Sequence, residues 1–226
     1  MSEERWAAVD EFFSEALGTN DPLLRAALVD SQRAGLPPIH VSPNQGKFLQ
    51  LLAEARGARR ILEIGTLGGY SSICLARSLP SGGVMISLEL DANYAEVARK
   101  NLRRAGCSHL VTVVVGPALQ SLEQLVESSA APFDLIFIDA DKVSYPEYFT
   151  AALALSRVDT VIVADNVVRK GALIDSDSSD ANVLGVRRML ELIASESRVA
   201  ATAIQTVGSK GYDGFVLARV IAAARS

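Results

Sequence analysis

The feature that most constrains the fold is a regular alternation that begins at residue 60. Short apolar runs rich in β-branched residues recur at Arg60–Ile64, Val84–Leu88, Leu110–Val115, Leu135–Ile138 and Val158–Val163. Helical patterning fills the gaps near Ser71–Leu79, Ala92–Ala105, Leu119–Glu127 and Tyr145–Leu155. Strands joined through helices run parallel, because each crossover carries the chain back to the same end of the sheet. Near-continuous apolar strands fit a sheet covered on both faces. The pattern predicts a doubly wound, Rossmann-like α/β fold.

The tail breaks the alternation. After a helix near Val183–Ala194, Val199–Thr206 and Asp213–Val220 read as strands joined by only Val207–Tyr212. A parallel crossover needs many more residues, so this pair is antiparallel. The expected sheet has seven strands, mostly parallel, with an antiparallel last strand.

Upstream of the alternation lie two amphipathic helices. Trp6, Val9, Phe13, Ala16 and Leu17 fall at helical spacing, as do Leu23, Leu24, Ala27 and Leu28 after Pro22. Gly35 and Pro37-Pro38 end this region, and Ser42-Pro43 caps a third helix running to about Arg56. We expect one domain over residues 1–226, with a helical extension at 1–40 and a catalytic core at 41–220. The extension has three roles open to it: covering the site, forming a dimer interface, or packing on its own domain.

Composition narrows the function. The net charge of −4, with no long basic run, argues against nucleic acid as a partner. The longest charge-poor stretch, Ala105–Leu122, is broken by Gly116 and Pro117 and is not a membrane span. Met1–Arg5 is polar and acidic, unlike the start of a signal peptide. Cys74 and Cys107 form no CxxC pair and are expected as buried free thiols in a reducing cytoplasm.

The first strand of the alternation ends in Glu63-Ile64-Gly65-Thr66-Leu67-Gly68-Gly69-Tyr70-Ser71. A Gly-rich turn between strand and helix lets a ligand approach the backbone closely. The spacing is not the GxGxxG of NAD sites. Glu63 would repel a pyrophosphate and favour a cationic ligand. The second strand ends at Glu89, placed to accept both ribose hydroxyls. A nucleoside joined to a cationic group describes S-adenosylmethionine. The third strand ends at Gly116-Pro117-Ala118, which could line the adenine. The plain alternative is a tight turn with a capped helix.

The fourth and fifth strands end in Asp139-Ala140-Asp141-Lys142 and Asp165-Asn166. If the strands are neighbours, Asp139, Asp165 and Asn166 converge. Three oxygen donors suit Mg²⁺, with Ca²⁺ or Mn²⁺ possible, and not zinc. The alternative is that each cluster only caps a helix. Burial and a nearby cation would favour a neutral Lys142 able to accept a phenol proton.

At these residues the sequence resembles the cation-dependent O-methyltransferases, the family of the catechol and caffeoyl-CoA enzymes, in their compact bacterial form. The similarity runs from about Val41 to Val220. It is carried by Ser42-Pro43, Gly46-Lys47-Phe48-Leu49, Glu63-Ile64-Gly65, Gly69-Tyr70-Ser71, Gly116-Pro117-Ala118, Asp139–Lys142, Asp165-Asn166 and Asp213-Gly214. The resemblance implies that Asp139, Asp165 and Asn166 hold the metal and that Lys142 is the base. It implies that Val41, Glu63, Gly65, Thr66, Gly69, Ser71, Glu89, Ala118, Asp139 and Asp141 surround S-adenosylmethionine. The acceptor would be a small phenol with two vicinal oxygens, and the assembly a homodimer. Arg169-Lys170 stands where plant caffeoyl-CoA enzymes have Trp-Asn, which puts that substrate contact in question. Arg169–Asn182 reads as a mobile loop beside the substrate or as a plain connection. A non-catalytic S-adenosylmethionine-binding protein and an NAD-dependent oxidoreductase are the competing classes.

Overall fold

The computed structural model describes residues 2–223. Helices α1 (Glu3–Ala16), α2 (Pro22–Arg33) and α3 (Pro43–Arg56) precede strand β1 (Arg60–Ile64). Then follow α4 (Tyr70–Ala76), β2 (Val84–Glu89), α5 (Ala92–Arg104), β3 (Val111–Val115), α6 (Ala118–Glu127) and β4 (Phe133–Ile138). The chain ends in α7 (Tyr145–Ala154), β5 (Ser156–Asp165), α8 (Ala181–Ser195), β6 (Val199–Gly208) and β7 (Gly211–Val220).

Local chemistry starts several helices. Asp21 accepts hydrogen bonds from the N–H groups of Leu23 and Leu24, and Pro22 supplies the first helical position. Ser42 accepts from Gln45 N–H ahead of α3, which ends at a left-handed Gly57.

The seven strands lie in the order β3-β2-β1-β4-β5-β7-β6. Strands β1 to β5 pair in parallel, and β7 runs antiparallel between β5 and β6. Strand order reverses between β1 and β4, and in open α/β sheets such a switch point opens a crevice at the carboxyl ends. At the other end, Asp134 accepts from the N–H groups of Arg59 and Arg60 at 2.8 and 3.0 Å, pinning β4 to β1.

Strand alternation builds two cores. Ile61, Met85, Leu135 and Phe137 face α2, α3, α4 and α5. Leu62, Ile64, Leu88 and Ile136 face α6, α7 and α8. Among the described residues no helix is long and apolar enough to cross a membrane. Cys74 and Cys107 are free and buried.

The structure adds detail at two places that the sequence left open. The apolar stripe of α1 lies outside both cores: the helix has no buried residue, and Phe13 and Leu17 are 49% and 70% exposed. Asp10 instead ties α1 to the rim, accepting from Ser209 N–H at 3.0 Å and Ser209 Oγ at 2.7 Å. The segment after β5 is also more structured than a plain loop. Arg169–Ile174 forms 3-10 turns, and the Arg187 guanidinium donates to the Leu173 carbonyl at 2.8 and 2.9 Å.

Candidate active site

A cavity of about 1120 Å³ opens over the carboxyl ends of β1, β2, β4 and β5. Val41, Gly65, Thr66, Ser71, Glu89, Ala118, Asp139, Asp141, Lys142 and Asn166 all line it. The floor depends on Gly65, whose φ is +99°. A Cβ there would stand 2.2 Å from the Asp139 carbonyl oxygen, so only glycine lets β1 and β4 meet at the crevice.

One end of the cavity is built around Glu89. Its Oε2 accepts from the N–H groups of Thr66 and Leu67 at 3.2 and 2.7 Å, and Oε1 accepts from Asp91 N–H at 2.9 Å. These bonds fix the carboxylate while leaving further lone pairs towards the cavity. Asp141 is held similarly, accepting from Tyr148 Oη at 2.6 Å and Ser144 N–H at 3.0 Å. Burial raises its pKa, but these hydrogen bonds outweigh that and hold it below the usual carboxylate value.

Glu63 is placed differently from its sequence reading. It does not line the cavity but lies fully buried beneath it. Its carboxylate accepts from Ser71 Oγ at 2.6 Å, Ser87 Oγ at 2.5 Å and Ser72 Oγ. Burial pushes its pKa up to about 7 against those three hydrogen bonds. Glu63 therefore fixes the seryl groups of the wall. Gly69 also lies outside the lining; its backbone turns at φ +81° against Ala98.

The other end is acidic and compact. Lys142 is buried, and its Nζ donates to Asp139 Oδ1 at 2.9 Å and to the Ala140 carbonyl at 3.0 Å. It lies 4.9 Å from the centre of the Tyr145 ring. Asp165 sits behind the lining, 4% exposed. Burial and then the charge of Asp139 push its pKa up, against hydrogen bonds from Asn166 N–H and Gln45. Asn166 has φ +53°, a left-handed conformation that Asn tolerates better than most residues. Among the described residues no group of three or more His, Cys, Asp or Glu could hold a metal. Asp139, Asp165 and Asn166 bring two carboxylates and one amide to the ends of β4 and β5.

Sequence reasoning missed three contributors. Gln45 Nε2 donates to Asp165 Oδ2 at 2.7 Å. Tyr145 Oη donates to the backbone carbonyl of Asp165 at 2.9 Å. Gly185 in α8 would place a Cβ 2.1 Å from the Lys142 carbonyl oxygen, so the helix packs directly on the Lys142 backbone. The only sequence sign of Gln45 was its place in the capped first turn of α3.

Comparison with known proteins defines the class. A profile of the O-methyltransferase family matches residues 18–221. A catechol O-methyltransferase of Niastella koreensis is 50% identical over 220 residues, 97% of this chain and 100% of that protein. One from Mycobacterium tuberculosis is 51% identical over 212 residues, 94% of each chain. The Bacillus cereus O-methyltransferase in complex with SAH has a TM-score of 0.95 at 55% identity, covering 97% of this chain and 100% of that one. TomG from Streptomyces achromogenes, an O-methyltransferase of tomaymycin synthesis in complex with SAM, has a TM-score of 0.95 at 52% identity, covering 98% and 100%. The chain belongs to the O-methyltransferase family. It is an S-adenosylmethionine-dependent enzyme that transfers a methyl group to oxygen.

Proposed function

We propose that the enzyme methylates one hydroxyl of a small catechol-like phenol with two vicinal oxygens, using a divalent cation. One observation carries this reading: Asp139, Asp165 and Asn166 stand at adjacent strand ends beside Lys142. The names of the catechol O-methyltransferases at 50% and 51% identity support the phenolic acceptor.

The residues fit a cation on grounds of charge. Burial and the charge of Asp139 raise the pKa of the buried Asp165, and Lys142 pairs with Asp139. Oxygen donors without nitrogen or sulfur suit a hard ion, so Mg²⁺ fits, with Mn²⁺ or Ca²⁺ as alternatives. Asp139, Asp165 and Asn166 would hold it. When bound, the ion supplies charge to offset the carboxylates and a point of chelation for paired oxygens.

Lys142 Nζ accepts the phenolic proton from its place beside Asp139. The phenolate oxygen then takes the methyl group from the sulfonium. The new O–C bond forms as the C–S bond breaks, and the electron pair stays on sulfur. Glu89 and Asp141 fix the cofactor side, so proximity and alignment lower the barrier.

We also read the whole chain as one catalytic domain with a helical extension at 1–40, working in the cytoplasm as a homodimer. Free buried thiols support the reducing compartment. Strand β6 supports the dimer: it is an edge strand with no charged side chain, and Ile204 and Val207 are exposed. Such edges are normally guarded, and a second copy covers one symmetrically. Sedimentation as a monomer at micromolar concentration would remove that reading.

The acceptor test is methyl transfer to catechol and to resorcinol, its non-vicinal isomer. Methylation of catechol alone supports the reading. Equal methylation of both overturns it.

A further inference from the structure

The acceptor end of the cavity contains an unused cation. Arg169 lines the cavity beside Asn166 and Asn182. Its Nε is buried and has no hydrogen-bond partner. Among the described residues its guanidinium makes no ion pair within 4.0 Å, whereas Arg56, Arg77, Arg99, Arg104 and Arg157 each pair with a carboxylate. Leaving the buried Nε–H of a charged group without an acceptor is costly, so the arrangement calls for an acceptor from outside the chain.

The backbone holds this side chain in place. Arg169 and Lys170 have φ of +54° and +55°, a strained conformation for side chains of this size. Asp213 Oδ1 accepts from the N–H groups of Val168 and Arg169 at 2.9 and 3.1 Å and fixes the turn. Asp213 is thereby engaged with the backbone, and Asp180, whose pKa Arg169 helps lower, is exposed and bonded to Asn182. Neither carboxylate forms a salt bridge with the guanidinium.

We propose that Arg169 is a specificity-determining residue that binds a carboxylate on the phenolic acceptor. The preferred substrate is then a vicinal dihydroxy aromatic acid rather than an uncharged catechol. This rests on the catechol reading above and deepens it. A planar guanidinium presents paired N–H donors that match a carboxylate edge to edge. Arg169 lies three residues beyond Asn166, on the β5 side of the cavity, whereas Glu89 and Ala118 mark the nucleoside side. That position sets Arg169 apart from the nucleoside, and the test below separates an acceptor carboxylate from the methionyl one.

The test uses two acid–ester pairs, 3,4-dihydroxybenzoate and 3,4-dihydroxycinnamate with their methyl esters. In the wild type, kcat/KM for at least one acid should exceed that of its ester by about 10- to 100-fold, the worth of a charge-assisted hydrogen bond. Arg169→Gln should collapse that acid-to-ester ratio towards one, chiefly through KM, and Arg169→Lys should restore part of it. A merely structural role would lower acid and ester together and leave the ratio unchanged, which overturns the proposal. So would weaker S-adenosylmethionine binding in Arg169→Gln with an unaltered ratio, since the partner would then be the methionyl carboxylate. If the wild type methylates none of the four compounds, the catechol reading itself falls and this inference falls with it. If the esters react and the acids do not, only the role of Arg169 is lost.

Discussion

Gln45 and Asp165 are 120 positions apart in sequence, yet Gln45 Nε2 donates to Asp165 Oδ2 at 2.7 Å. The bond orients one of the two carboxylates proposed to hold the cation. Groups that orient metal ligands typically change affinity or activity by about 10- to 100-fold. Gln45→Leu should raise the Mg²⁺ concentration for half-maximal activity by about 10-fold on that scale. A metal titration of the variant checks it, and an unchanged midpoint would deny Gln45 this role.

Lys142 is proposed to receive the phenolic proton, so its loss should affect turnover more than binding. Lys142→Met should lower kcat by about 100-fold or more, a typical general-base contribution, while S-adenosylhomocysteine affinity by calorimetry stays close to that of the wild type. Lys142→Arg places an always-protonated guanidinium beside Asp139 that cannot accept a proton, so it should not rescue activity. Turnover retained in either variant would remove Lys142 as the base.

Glu63 imposes a pH dependence on stability. Burial raises its folded pKa from 4.5 to about 7, so between those values the folded state keeps a proton that the unfolded state has released. Its contribution is full below about 4.5 and is lost as pH rises through about 7, a change on the order of 3 kcal/mol. Glu63→Gln removes this titration. In metal-free protein, the melting temperature of Glu63→Gln relative to wild type should therefore climb across that window. A constant difference would show that Glu63 titrates alike in both states.

Gly185 couples α8 to the loop that carries Lys142. Its missing side chain leaves room for the Lys142 carbonyl, and a Cβ would also approach Val143 Cα to 2.9 Å. Gly185→Ala should cost about 1–3 kcal/mol by overpacking and displace Lys142, lowering kcat. Calorimetric melting and steady-state turnover measure both effects. A wild-type melting temperature would mean that the helix shifts without cost.

Much of the fold could be read from the chain because its signals are local. Each parallel strand is a short apolar run next to a helical segment, and the short link Val207–Tyr212 allowed only an antiparallel pair. Asp139 and Asp165 were readable because strand ends are positions that periodicity defines. Contacts made across the fold were not readable. Nothing near Gln45 announces Asp165, and nothing near Arg169 shows that its Nε would be buried without a partner. Glu63 was read as facing the ligand from its distance to Gly65. Two-residue alternation instead places it with Ile61, on the face towards α4, where Ser71 and Ser72 meet it. The stripe on α1 left three roles open, because helical periodicity identifies an apolar face but not what covers it.

The most direct test of the account is catechol methylation from S-adenosylmethionine in chelator-treated enzyme, before and after Mg²⁺ is restored. The account predicts that activity disappears with the metal, returns with Mg²⁺, and stays absent in an Asp139→Asn, Asp165→Asn double variant at any accessible Mg²⁺ concentration. Full activity in metal-free enzyme would contradict it, leaving an O-methyltransferase whose paired aspartates serve something other than a cation.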